Sequence, residues 1–259
     1  IIDESSMIPN SLMASLLSAV KTGASILFIG DPNQLPPVGA GRPFLDMIEA
    51  GLPHGHLTEV HRFAGRIAQV CKSINDGQPW QASKKIDLEP ADEIPENLRH
   101  IERSSAALQV ETLKTVLGKL IEGRGFDPIW DMQVLCAVND KSPVSRRALN
   151  KTLQNLLNPD GERIGQNTLR VGDKPMCLKN GFRTANWHGE QPPVVYTYYV
   201  ANGEIGEVVE ISEHWIAFKI SGRDVTVRFG RGEWSDVDLA YACTVHKAQG
   251  AGFPVVIVM

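Results

Sequence analysis

The chain has 259 residues, 42% of them apolar and 22% charged, and a net charge of −4. That balance suits a water-exposed globular chain of one to three domains with a buried core. No apolar run is long enough to cross a bilayer and no signal-peptide pattern is present; the expected cytoplasmic setting rests on the thiols. The four cysteines, Cys71, Cys136, Cys177 and Cys243, are far apart and form no C-x-x-C, so they read as free, buried thiols rather than a disulfide framework. His54, His56 and His61 lack a fourth ligand and read as loop histidines.

In chain order, Ile1-Ile2 is an apolar strand running into Asp3-Glu4 and Ser5-Ser6-Met7. Residues 10–22 carry Leu12, Met13, Leu16, Leu17 and Val20 at helical spacing, and 25–29 read as a short buried strand. That strand ends in Gly30-Asp31-Pro32-Asn33-Gln34-Leu35-Pro36-Pro37. In an open α/β sheet, ligands bind beyond the carboxyl ends of the strands, so two strands delivering acids and an amide there suggest a nucleotide site. Asp3 is the candidate Mg²⁺ ligand and Glu4 the group that orients or deprotonates an attacking water. No Gly-x-x-x-x-Gly-Lys-Ser/Thr phosphate cradle occurs. Because the chain starts and stops inside apolar strands, we expect it to be an internal piece of a longer polypeptide, inactive by itself.

Further on, 43–51 and 64–76 read as helices, 78–97 as a proline-rich loop, 104–122 as a helix ended by Gly123, 132–138 as a buried strand and 143–157 as a helix. Strands alternating with helices imply a parallel α/β sheet. From Val171 to Trp234 short β-rich runs replace them, at 174–179, 194–201, 205–211, 215–220 and 224–229, with Asn202-Gly203 as a tight-hairpin signal. They predict a small antiparallel barrel inserted into the α/β pattern, which resumes at Leu239-Ala240-Tyr241-Ala242-Cys243. Pro175 suggests an edge or bulge. Residues 146–183 hold eight basic against three acidic side chains, compatible with a groove that tracks a nucleic-acid backbone. Phe182, Trp187 and Tyr196 are aromatic candidates for base stacking.

The strand 239–243 runs into Thr244-Val245-His246-Lys247-Ala248-Gln249-Gly250. With Asp3-Glu4-Ser5-Ser6-Met7, Gly30-Asp31-Pro32-Asn33-Gln34-Leu35-Pro36-Pro37-Val38, Leu57-Thr58-Glu59-Val60-His61-Arg62, and the block Val171-Gly172-Asp173-Lys174, Lys179-Asn180 and Asn202-Gly203-Glu204-Ile205-Gly206, the order resembles the RecD-like branch of superfamily 1 helicases over nearly the whole chain. The resemblance implies two RecA-like units, the first incomplete (1–57), the second split (58–171 and 237–259) around an SH3-like β-barrel at 172–236. It implies ATP and Mg²⁺ as cofactors, Asp3, Glu4, Gln34 and Arg62 as catalytic residues, and Gly30, Asp31, Gln34, Arg62, Gln249 and Gly250 around the nucleotide. Thr244, His246, Lys247 and Asn180 would contact single-stranded DNA. The implied activity is an ATP-dependent DNA helicase or translocase of repair or recombination, moving 5′-to-3′, with other subunits of an exonuclease complex as further partners. Gly252 stands where the family pattern has Glu, and Phe63 where it has Gln. The alternative is a non-catalytic DNA-binding or scaffolding subunit that keeps the fold.

Overall fold

The computed structural model describes residues 1–57, 65–87, 95–164, 168–187 and 194–259, the side chains of Trp187 and Val194 excepted. Two units are distinguished, Ile1–Glu102 and Arg103–Met259.

In the first unit Ile2 and Phe28 form a parallel bridge, with Ile2 N donating to Leu27 O and Ile29 N to Ile2 O, each at 2.8 Å. The expected buried strand at 25–29 reduces to this bridge, and Leu27 and Ile29 are exposed, because Ile2 supplies its only ladder partner among the described residues. Beyond it come a 3₁₀ turn, Ser5–Met7, and helix α1 (Asn10–Ala19). Pro9 precedes α1, where its missing N–H costs nothing. Helix α2 (Pro43–Glu49) likewise opens on proline. Helix α3 (Gly65–Asn75) buries Val70 but leaves Cys71 and Ile74 exposed, so one of the four expected buried thiols is a surface group.

The second unit opens with α4 (Ala106–Arg124). The Ser105 hydroxyl caps it by accepting from Leu108 N, and Gly125, at φ 72°, ends it. The expected stop at Gly123 lies inside the helix. Strand β1 (Met132–Cys136) and helix α5 (Arg146–Leu157) follow. Strand β2 (Pro175–Cys177) leads into β3 (Gly181–Trp187), β4 (Val194–Val200), β5 (Gly206–Ile211), β6 (Trp215–Ile220) and β7 (Val225–Gly230). The chain returns through β8 (Val237–Leu239), β9 (Ala242–Thr244) and β10 (Val255–Val258).

These strands make three sheets. A parallel sheet has the order β10-β1-β9, as the α/β reading requires. Strands β2 and β8 pair antiparallel, and Pro175 sits at the first position of its strand, where a missing donor is tolerated. The third sheet is antiparallel, in the order β4-β3-β7-β6-β5, with a register shift between Val208 and Glu210. Its β5 edge is covered by the chain ahead of β2: Gly172 N donates to Val208 O at 2.7 Å and Val208 N to Asp173 O at 2.9 Å. The core of the unit joins Leu113, Leu117, Val134, Leu149 and Leu153 to Val208, Phe218, Val227 and Phe229.

Two expectations change here. Asn202-Gly203 does not close a hairpin, because β4 and β5 lie on opposite edges of their sheet. The turn docks on β2 instead, with Gly203 N donating to Cys177 O and Cys177 N to Glu204 O, each at 2.8 Å. Only glycine takes its φ of 100° without strain. Strand β3 was hidden because its inward positions are Arg183 and Ala185 rather than large apolar residues. Arg183 is buried by ion pairs to Asp236 (3.1 Å) and Glu233 (3.3 Å) and by stacking over Phe229.

Candidate nucleotide and nucleic-acid sites

The parallel bridge Ile2–Phe28 sets two segments side by side, so the chain leaves both at the same end. Ser5 N donates to Ile29 O at 2.8 Å and Ser5 Oγ to Ile2 O at 2.9 Å, tying the Asp3-Glu4 turn to the start of Gly30-Asp31. Gly30 is required there: a Cβ would lie 2.9 Å from Ser6 N and 3.2 Å from the Phe44 ring. Asp3 and Glu4 are exposed, and Asp3 Oδ1 accepts from Glu4 N at 2.9 Å. Glu4 has φ 52° and ψ 37°, a left-handed conformation uncommon for a residue with a Cβ. Asp31 Oδ1 accepts from Asn33 N at 2.9 Å, forming the turn that presents Gln34 to solvent.

Beside these groups is a cavity of about 240 Å³ lined by Ser6, Pro32, Gln34, Pro36, Arg42 and Phe44, among others. The buried Ser6 hydroxyl has no hydrogen-bond partner among the described residues. A single exposed carboxylate at Asp3, with no cluster of three or more His, Cys, Asp or Glu among the described residues, is not a self-sufficient metal cage. It fits Mg²⁺, which is held by one or two carboxylates together with substrate phosphates. Arg62 lies outside the described residues, as do His61 and Phe63.

In the second unit, β9 carries Thr244 at its end, and a 3₁₀ turn, Val245–Ala248, presents His246 to solvent. One edge of β9 pairs with β1. On its other side Asn150 of α5 acts as a substitute strand: its Nδ2 donates to Ala242 O at 2.8 Å and its Oδ1 accepts from Ala242 N at 2.9 Å. Lys247 reaches across to the inserted segment, where its Nζ donates to Asn202 Oδ1, and Asn202 N in turn donates to Asn180 Oδ1 at 2.7 Å. Two of the residues expected to contact nucleic acid, Asn180 and Lys247, are thus brought together through Asn202. Thr244 and His246 stand on the same short segment as Lys247. Burial holds the Lys247 ammonium below its ordinary pKa. Gln249 ends the turn with its Nε2 buried and without a partner among the described residues, and Gly250 follows at φ 79°.

Behind this segment Lys174 is fully buried, its Nζ donating to Met132 O at 2.7 Å and lying 4.7 Å from the Phe253 ring centroid. Burial lowers its pKa to about 8, and burial raises the nearby Cys243 thiol to about 11. Asp173, also buried, accepts from Gln154 Nε2 (2.5 Å), Asn158 Nδ2 (2.8 Å), Arg170 N (2.7 Å) and the Tyr241 hydroxyl (3.1 Å). Four donors on one carboxylate satisfy a buried charge.

The basic stretch 146–183 is mostly spent on the protein itself. Arg146 pairs with Asp238 at 2.6 Å and Arg147 with Asp140 at 2.8 Å. Arg170 donates to Asn158 O, Pro159 O and Asn155 Oδ1. Lys174 and Arg183 are buried. Lys151, Arg163 and Lys179 remain exposed, as does Arg147 in its surface pair with Asp140, so the phosphate-tracking groove inferred from composition narrows to these four positions.

An AAA domain model matches residues 1–90. The chain is 33% identical over 262 residues to the ATP-dependent RecD2 DNA helicase of Deinococcus radiodurans, covering 99% of this chain and 32% of that protein. It is a relative of the RecD-like helicases. The RecBCD enzyme subunit RecD of Mycolicibacterium smegmatis is 28% identical over 97% of this chain and 43% of its own length. The chain therefore spans less than half the length of these two relatives. Its fold is similar to that of the Pif1 helicase from Bacteroides, crystallised with ADP-AlF3 and ssDNA, at a TM-score of 0.51 and 17% identity, over 99% of this chain and 63% of that one. Among the described residues no helix is long and apolar enough to cross a membrane.

The structural parts played by Asn150 and Asn202 were not legible in the sequence. Their roles lie in hydrogen bonds across 92 and 45 residues of sequence, and neither composition nor periodicity carries such pairings.

Proposed function

We propose that this chain is the core of an ATP-dependent DNA helicase or translocase of the RecD type, acting as part of a longer protein. The observation that carries the reading is the convergence of Asp3-Glu4 with Gly30-Asp31 and Gln34 at one end of the Ile2–Phe28 pair. Residues 1–57 would belong to a first RecA-like domain, 58–171 and 237–259 to a second, and 172–236 to an SH3-like barrel. Mg²⁺ held through Asp3 would neutralise charge on the nucleotide phosphates. Glu4 would hold and deprotonate water, Gln34 would sense the terminal phosphate, and Arg62 would stabilise developing negative charge. Gly30, Asp31, Gln249 and Gly250 would shape the rest of the nucleotide site. Thr244, His246, Lys247 and Asn180 would grip single-stranded DNA, and the Lys247–Asn202 bond would pass movement of the motif to the insertion. Resemblance alone supports 5′-to-3′ travel, a repair or recombination role, other subunits as partners and a cytoplasmic location. Without a phosphate cradle, the 259-residue chain would by itself turn ATP over negligibly.

The test is Glu4→Gln in the full-length protein. ATP binding should persist while DNA-stimulated turnover falls at least about 100-fold, the usual contribution of a positioned base. A near-normal rate would reduce Glu4 to a turn residue. It would also favour the scaffolding reading, for which Gly252 is the one supporting feature.

A further inference from the structure

Phe182 on β3 and Tyr199 on β4 are cross-strand partners, 69% and 50% exposed, with ring centroids 5.3 Å apart at 68°. A large aromatic residue alone on a surface needs no explanation, but two exposed rings that pack edge-to-face on each other are different. Their position matters as well. Phe182 is two residues past Asn180 and Tyr199 three before Asn202, the two residues whose hydrogen bonds lead to Lys247. Exposed Lys179 precedes Phe182 by three residues. The next cross-strand pair outward is Thr184–Thr197, so polar side chains bound the aromatic patch. Two rings bounded by threonines fall far short of the roughly 800 Å² per partner that a stable protein interface buries. They do match the area of a nucleobase. The other stacking candidates fit less well: Tyr196 packs against the core, and the Trp187 side chain lies outside the described residues.

We propose that the Phe182–Tyr199 pair is a base-stacking site for single-stranded nucleic acid, continuous with the Asn180–Asn202–Lys247 cluster. The proposal rests on the DNA-binding reading above and adds to it a site on the inserted sheet. Phe182, 69% exposed, offers ring surface to a base, while Lys179 and Lys247 supply positive charge for the adjoining phosphates. Stacking of this kind tolerates any base, since each has a π-face.

The experiment measures binding of labelled oligo-dT to the full-length protein by anisotropy across a salt series, with an abasic oligomer alongside. Phe182→Ala and Tyr199→Ala should each weaken oligo-dT binding about fivefold or more without changing the salt slope, because no phosphate contact is lost. Phe182→Leu should behave like Phe182→Ala, and Phe182→Trp should restore affinity. Lys247→Ala should flatten the slope instead. The abasic oligomer should bind wild type and Phe182→Ala alike. Both rings are exposed, and matching thermal melts would show that the variants fold. Ring variants that bind oligo-dT as wild type does, with a normal salt slope, would overturn the stacking site and leave the DNA reading standing, the patch passing to a protein partner. A wild-type full-length protein with no affinity for oligo-dT at any salt would overturn both.

Discussion

Glu4 combines the chemistry proposed for it with a backbone that disfavours it. A residue bearing a Cβ in the left-handed region costs on the order of 1 kcal/mol or more, and such strain persists only where the surroundings impose it. Here Ser5 is locked to Ile29 on one side and Asp3 accepts the Glu4 N–H on the other. Glu4→Gly should therefore stabilise the first unit by up to about 1 kcal/mol in urea titrations while abolishing turnover in the full-length protein, separating strain from chemistry. Glu4→Gln should leave stability unchanged. Lys174 has the opposite problem, a buried ammonium with one carbonyl and one ring for company. Its folded pKa of about 8 lies below the unfolded value, so between pH 8 and about 10 the unfolded chain holds a proton that the native chain has lost, and this group's contribution to stability rises with pH. Cys243, raised to about 11, acts in the reverse sense above about pH 8.5, so the two are separated by substitution. Lys174→Met should be more stable than wild type at pH 7, by at most roughly 3 kcal/mol, and that advantage should shrink steadily by pH 10 in denaturant midpoints. A constant difference across the range would show that the ammonium is not desolvated.

Strand β9 has three residues and a partner on only one side, yet it positions the whole Thr244–Gly250 segment. The Asn150 amide completes it by bonding both the N–H and the C=O of Ala242. Asn150→Leu would leave two buried backbone groups unpaired, at about 1–3 kcal/mol each, and should lower the urea midpoint of the second unit accordingly. Asn150→Asp should cost as much or more, since a carboxylate would face the Ala242 carbonyl. Elements with strong periodicity were legible in the sequence: α1, α4, β1, β6 and β7 fall within a few residues of the expectation. So did Asp3-Glu4 and Gly30–Gln34 at one end of a strand pair, because apolar runs ending in acids are local signals. What was not legible depends on distant partners. Strand β3 buries an arginine that only Asp236 and Glu233 make tolerable. The Asn202-Gly203 turn looks like a hairpin until the strand order places its flanking strands on opposite edges. The basic stretch looked like a phosphate groove because sequence does not show that Asp238, Asp140 and Asp236 lie opposite its arginines.

At the scale of the whole chain, apolar burial is uneven. Among the described residues the first unit buries Ile8, Met13 and Val70, whereas the contiguous core that joins the parallel and antiparallel sheets lies entirely within Arg103–Met259. Burial of apolar area is the dominant stabilising term, so the first unit should open at lower denaturant than the second. Pulse proteolysis in a urea series should cut within residues 1–102 first and leave a resistant fragment beginning near Arg103; simultaneous loss of both would contradict this. Strands β2 and β8 carry a different consequence. They pair Pro175 with Leu239, Met176 with Asp238 and Cys177 with Val237, so the chain leaves for the five-stranded sheet and returns from it through adjacent positions. The covalent path to everything between Cys177 and Val237 runs through that neck, and a tight turn joining those two residues would close the remainder. A chain lengthened or shortened at this neck would keep the register of β10-β1-β9, and the surfaces to be re-covered would be the shared core and the β5 edge that Gly172 and Asp173 now hold.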